Sequence, residues 1–211
     1  MQKQATVAAA LLLSACIPSS KPASPRYPPK IGSSPSTLIC LADLRRENVT
    51  YSQLPDRTYG GGCSALGTVQ LKDFGVPVTK LGAMTCPLAR AFVLWTRDAV
   101  QPAARAWLNA RVIRMESFGT YDCRPVNGRA GARLSEHGRT NAVDVSAFVL
   151  NDGRRITVLD GWNNSNDDIR HFLRAVHQAG CRRFAVTLGP DANAGHRNHF
   201  HFDMGSGPYC R

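Results

Sequence analysis

The sequence predicts an α+β domain: a small antiparallel sheet with helices packed on one side. Two stretches carry helical periodicity, at 87–109 and 166–180. Several short runs alternate apolar and polar residues, and two of them are joined by Asn151-Asp152-Gly153, a hairpin turn sequence. Helices and antiparallel hairpins in this order form a sheet with its helices gathered to one side. The 211 residues suit one domain, or one domain plus a tail. At 43% hydrophobic and 19% charged the chain is globular, neither disordered nor fibrous. There is no internal repeat.

The N-terminus reads as an address. Lys3, the apolar run Ala5 to Leu13 and the exit Ser14-Ala15-Cys16 form a signal-peptide pattern over 1–15. The run is far short of the roughly 20 residues that span a bilayer. Leu13-Ser14-Ala15-Cys16 resembles the bacterial lipobox, which implies that Cys16 is lipidated and anchors the chain to a membrane. An ordinary secretory signal is the alternative. Ile17 in place of Asp implies the outer membrane, facing the periplasm. Residues 16–37 hold six prolines among serines and lysines and read as a semi-extended tether. In polyproline form it reaches about 50–60 Å.

The domain follows at 38–211. Residues 38–80, broken by Gly60-Gly61-Gly62, Gly75 and Pro77, read as loops and short strands such as Thr68 to Leu71. In 87–109, Leu88, Phe92, Trp95 and Ala99 share a helix face, and Pro102 breaks the helix and can start another. Residues 111–118 read as a strand. Ala142 to Leu150 and Arg155 to Leu159 form the hairpin. Ser165 to Asp168 fits a capping box, Ile169, Phe172, Leu173 and Val176 form the buried stripe, and Gly180 ends that helix. Arg183 to Leu188 and His199 to Asp203 are further strands. Trp95 and Trp107 read as core, Trp162 as turn packing or a groove wall, and His171 and His177 as surface. Asp191 and Asn193 either hold a substrate amine or cap a turn.

With Cys16 set aside, Cys40, Cys63, Cys86, Cys123, Cys181 and Cys210 are even in number and belong to an oxidising compartment, so three disulfides are expected, in unknown pairing. No Cys-x-x-Cys pair supports a cysteine-rich zinc site. The formal charge of +11 points to an anionic partner, and export argues against nucleic acid.

The chemistry concentrates in two segments. In Ser135-Glu136-His137-Gly138-Arg139-Thr140-Asn141-Ala142-Val143-Asp144, the aspartate stands in an otherwise apolar strand and needs a partner. In His196-Arg197-Asn198-His199-Phe200-His201-Phe202-Asp203, alternation puts His199, His201 and Asp203 on one face and both phenylalanines on the other. Two imidazoles and a carboxylate with an open fourth position make a catalytic zinc arrangement. Each motif alone has an ordinary structural reading; their joint occurrence is specific.

Ser-x-His-x6-Asp followed by His-x-His resembles the zinc-peptidase group of D-alanyl-D-alanine carboxypeptidases, lysostaphin-type endopeptidases and the hedgehog domain. Gly195-His196-Arg197-Asn198-His199-Phe200-His201 is similar to the Gly-His-x-x-His-x-His of penicillin-insensitive murein endopeptidases. From Cys40 to Cys210 the chain resembles the bacterial extensin-like C-terminal domain family, through Cys63, Cys86-Pro87, Tyr121-Asp122-Cys123-Arg124, Ser135-Glu136-His137, Asn141-Ala142-Val143-Asp144, Leu188-Gly189-Pro190 and Tyr209-Cys210. The resemblance implies a hedgehog/peptidase-like fold and Zn²⁺ held by His137, Asp144 and His201. It implies His196 as a proton-transfer group, His199 and Arg124 as stabilisers of the oxyanion, and Ser135 as a support. Two departures stand out: Thr140 occupies a position where the family usually has Gly, and Asn198 stands where the carboxypeptidases carry a glutamate. The implied function is zinc-dependent hydrolysis of peptidoglycan peptide bonds, as a D,D-endopeptidase or in the manner of a carboxypeptidase; the alternatives are a peptidoglycan-binding module, with zinc or metal-free, and a purely structural lipoprotein.

Overall fold

A computed structural model describes residues 34–211 of the chain. The signal segment 1–15, Cys16 and the tether as far as residue 33 lie outside the described residues. Among the described residues no helix is long and apolar enough to cross a membrane.

The described chain begins with a helix, α1 (Pro35–Arg46), in a stretch read from sequence as tether end and loops. Ser34 caps it by accepting from the Thr37 amide, Pro35 occupies the first turn, and Cys40, Leu41 and Leu44 face the core. Only one short face is apolar, so periodicity alone gives a weak signal. Next come β1 (Thr50–Gln53), β2 (Arg57–Thr58), β3 (Ser64–Ala65), β4 (Thr68–Asp73) and β5 (Met84–Thr85). Strands β1, β4 and β5 form a small antiparallel sheet, and β2 pairs with β3.

Helix α2 (Cys86–Trp95) runs through a π-helical turn, Thr96–Val100, into α3 (Gln101–Leu108). The expected break at Pro102 is therefore a widened turn rather than an end. Proline lacks the N–H that would bond the carbonyl four residues back, and its ring crowds that carbonyl; the π turn relieves both. Asn109 closes α3 in the left-handed conformation, at φ 48°.

The main sheet uses β6 (Val112–Gly119), β7 (Ala142–Leu150), β8 (Arg155–Thr157), β9 (Val186–Leu188), β10 (Phe200–Asp203) and β11 (Tyr209–Cys210). Its order is β11-β9-β10-β7-β6, with β8 also paired to β7. All pairings are antiparallel except β9 with β11. Strand β8 stops at Thr157 rather than Leu159, because the Thr157 hydroxyl caps a short helix, α4 (Val158–Gly161). Helix α5 (Asp167–Arg183) is capped by Asn166, not Ser165, and the Asn166 side chain accepts from the Asp168 and Ile169 amides. Gly180 does not end α5, which runs three residues further. It sits where the helix crosses Phe202, and a Cβ there would lie 2.5 Å from Phe202 Cε1. Close approach, not a left-handed turn, explains this glycine.

Helices α2 and α5 cover one face of the main sheet. The Trp95 ring lies 4.8 Å from Phe202, 6.2 Å from Phe148 and 6.4 Å from Phe184, and Phe148 lies 5.1 Å from Phe172. The indole N–H donates to the Val176 carbonyl at 2.9 Å, so its burial strands no polar group. Trp107 is not core: it is 41% exposed and its ring packs on His171. His177 is not surface: it is buried between Trp162 and Phe200. Both faces of its helix meet protein at that point, which a helical stripe cannot reveal.

The three disulfides are Cys40–Cys86, Cys63–Cys123 and Cys181–Cys210. They join α1 to α2, the β2–β3 region to the segment before His137, and α5 to β11. In the chain-entropy account a loop of this size contributes about 3–5 kcal/mol on closure.

Candidate metal centre

Strands β7 and β10 pair in a register that places His201 opposite Asp144. The period of two then puts Phe200, Phe202, Val143 and Val145 into the core, all fully buried, and turns His201, Asp203 and Asp144 to the opposite face.

His137 reaches the same point from a tight turn. Ser135 starts this turn by accepting from the His137 amide at 3.3 Å, so its supporting role is that of a cap. A Cβ on Gly138 would lie 2.9 Å from Leu134 and 3.0 Å from the sulfur of Cys63, so only glycine lets the turn seat against the disulfide. Thr140 ends the turn in the left-handed conformation, at φ 53°. That is the conformation glycine takes without strain. Glu136 is engaged by Asn141 Nδ2 at 2.8 Å and by Arg139 at 3.2 Å, tying the turn to β7.

The donor atoms converge. Asp144 Oδ1 lies 2.9 Å from His201 Nδ1 and 3.2 Å from His137 Nε2, and the two ring nitrogens are 3.1 Å apart. Each ring is held from behind. His201 Nε2 donates to Asp203 Oδ2 at 2.9 Å, and His137 Nδ1 donates to the Thr120 carbonyl at 3.4 Å. These contacts select the tautomers that aim Nδ1 of His201 and Nε2 of His137 at the centre. The three residues could hold one metal ion. Asp203 was placed on this face by alternation, but its orienting role needs the 2.9 Å contact to be seen.

The electrostatics agree with a centre that stabilises positive charge. Burial alone would raise Asp144, but the hydrogen bonds from His137 and His201 outweigh it and hold the carboxyl well below its usual range. Burial would lower His201, but hydrogen bonds to Asp144 and Asp203 raise it to about 9.

His196 and His199 stand beside this cluster. The His196 ring lies 5.0 Å from His199 and 5.7 Å from His201. Burial first, and then the neighbouring histidines, push His196 down to about 4, so it is neutral at pH 7. Asn193 Oδ1 accepts from the Gly195 amide and from His196 Nδ1, which leaves His196 Nε2 bare. His199 is likewise lowered, chiefly by burial, and its Nδ1 donates to Asn198 Oδ1 at 2.9 Å. Its Nε2 lies 3.6 Å from Asp144 Oδ1. A neutral ring in this tautomer accepts a proton at Nε2 rather than donating one.

The loop that carries these groups is anchored by Asp191. Its carboxylate accepts from Trp162 Nε1 at 2.8 Å and from Arg174 at 2.6 Å, and Arg174 lies 3.6 Å over the Trp162 ring. Asp191 thus ties the loop to Trp162 and Arg174, Asn193 caps a turn, and Trp162 is packed rather than a groove wall. The roles of Asn193, Asn198 and Asp191 are set by contacts that no short motif encodes.

Two clefts meet at the centre. The larger, about 940 Å³, is walled by Arg124, Arg129 and Arg133 and reaches His196, His201 and Asp203. The smaller, about 290 Å³, is walled by Phe118 and Tyr121. A second group with metal-ligand atoms, His177 with Cys181 and Cys210, is not comparable, because the two sulfurs are joined in a disulfide.

A family model described as extensin-like protein C-terminus matches residues 38–211. No curated protein and no solved structure was found to match the chain.

Proposed function

Because the chain belongs to the extensin-like C-terminal family and gathers two imidazoles and a carboxylate where two clefts meet, we propose that it is a zinc-dependent hydrolase of peptide bonds in peptidoglycan. The observation that carries this reading is the convergence of His137 Nε2, His201 Nδ1 and Asp144 Oδ1 within 3.2 Å, with Asp203 behind His201. The donor set fits zinc: two imidazoles, one carboxylate, ordered outer partners and an open side toward the cleft. The kinship with the D-alanyl-D-alanine carboxypeptidase and hedgehog group belongs to the same reading and is supported by the His137-x6-Asp144 and His199-x-His201 spacings.

Zinc bound there would polarise an amide carbonyl and acidify water. His196, neutral and with Nε2 bare, takes a proton from the attacking water, and His199 stands within relay distance. Arg124 in the cleft wall supplies the fixed positive charge for the carbonyl oxygen. The new bond joins the water oxygen to the acyl carbon, the C–N bond breaks, and the proton ends on the departing amine. The N-terminal lipobox and the net charge of +11 support an envelope lipoprotein working on an anionic wall polymer.

Asn198 favours a second reading, a wall-binding module that holds zinc without hydrolysis. It stands where a glutamate base is found in the carboxypeptidases, and its side chain orients His199. Incubation of the purified protein with muropeptides separates the two readings. New fragments that vanish on chelation and with His201→Ala support the hydrolase; sedimentation with sacculi and no fragments supports the module. Cys16→Ser is expected to release the protein from membranes, as read by fractionation.

A further inference from the structure

Arg124, His137, Asp144 and His199 line both clefts, so the centre sits at their junction and is not the blind end of either. The clefts differ in chemistry. Among the described residues lining the small one, Arg124 is the only arginine or lysine, and its Nε donates to Asp122 Oδ2 at 2.5 Å. Phe118 and Tyr121 complete that wall although 51% and 43% exposed, and Tyr59 packs on Tyr121 at 5.4 Å. In the large cleft Arg129 and Arg133 also face the space, and among the described residues neither has a carboxylate within ion-pairing distance.

The arginine wall is built onto the metal-ligand segment. The Val126 amide donates to the Arg133 carbonyl at 2.9 Å, and the Ser135 amide donates to the Arg124 carbonyl at 3.0 Å. Cys63–Cys123 holds the base of this lobe, and His137 follows two residues after Ser135. The backbone carrying the arginines is therefore at a set distance from the reacting centre.

We propose that the substrate chain crosses this centre. A segment bearing free carboxylates lies along Arg129 and Arg133, and an uncharged segment lies on Phe118 and Tyr121. The bond attacked is then internal, and the enzyme is an endopeptidase. This inference rests on the hydrolase reading for the word endopeptidase, and on the clefts alone for the binding.

The test uses binding without turnover. A fluorescent cross-linked stem-peptide dimer is titrated into chelator-treated protein, beside the same dimer with its carboxylates amidated and a monomer covering only the acidic side. The acidic dimer is expected to bind about tenfold more tightly than the amidated one, as charge-assisted pairing to two guanidinium groups allows. Arg129→Gln with Arg133→Gln removes that preference, and Phe118→Ala weakens both dimers alike. These side chains are exposed, so an unchanged melting curve checks the fold. Equal binding of acidic and amidated dimers, or a monomer that binds as tightly as the dimer, overturns the proposal. Charge-dependent binding with no cleavage in the zinc-loaded protein overturns the hydrolase reading and keeps the groove; cleavage that is blind to charge and to dimer length does the reverse.

Discussion

The two faces of the β7–β10 ribbon share one backbone and almost nothing else. One face presents Val143, Val145, Phe200 and Phe202 to the helices and is closed to water. The other presents Asp144, His201 and Asp203, also buried, but every polar atom used there meets a partner. The first face is held by area and shape, which are non-directional. The second is held by direction, since a buried carboxylate is tolerated only where its donors are in place. The same four residues of β10 serve both, so stability and chemistry are separable by parity along the strand.

Substitutions on opposite faces test that separation. Phe202→Ala removes the ring against which Trp95, Phe184 and Gly180 pack, and is expected to cost about 3–5 kcal/mol in chemical denaturation. The folded fraction should still bind one zinc. A loss of zinc affinity as large as the loss of stability would show that the faces are coupled.

Asp203→Asn should do the opposite. An asparagine amide facing His201 Nε2 favours the tautomer with its proton on Nδ1, the atom needed for the metal. Zinc affinity is expected to fall about 10–100-fold, read by competition with a chromophoric chelator.

Thr140→Gly sharpens the comparison at the turn that delivers His137. Relief of the left-handed strain, at φ 53°, is partly offset by backbone entropy, so a gain of up to about 1 kcal/mol is expected with zinc affinity unchanged. A loss of stability would show that the Thr140 hydroxyl matters more than the strain.

The smallest effect lies on the packed side. His177 is lowered from 6.5 chiefly by burial, while its Nε2 donates to the Arg211 carbonyl at 3.2 Å. Its folded value lies below its unfolded one, so its neutral form supports the fold fully above about pH 6.5. That contribution is lost as pH falls from 6.5 through the folded value, because the unfolded chain takes up the proton first. His177→Gln, which can keep the donation, should flatten the acid limb of the stability curve relative to the unaltered protein over that window.

Much of this was legible before any coordinates. Alternation alone separated His199, His201 and Asp203 from Phe200 and Phe202, and the run Ala142 to Leu150 matched β7 residue for residue. The even cysteine count announced three disulfides. Other features were hidden. Helix α1 is short and apolar on one narrow face, so glycines further along the segment dominated its reading. Gly180 resembled a helix stop because sequence cannot distinguish a glycine that turns the chain from one that admits a neighbouring ring. His177 looked exposed because the elements that cover it come from other parts of the chain.

By itself, the sequence determined which residues share a face, since that depends only on a local period of two along each strand. It also determined the chemistry available, two imidazoles and a carboxylate in a chain with cysteines to pair. The tertiary structure alone decided the register that sets His201 opposite Asp144, the pairing of the cysteines, the carboxylate behind His201 and the meeting of two unlike clefts at the centre. These are relations between segments far apart in sequence, and they are fixed by which packing buries the most apolar surface while leaving few buried polar groups unpaired.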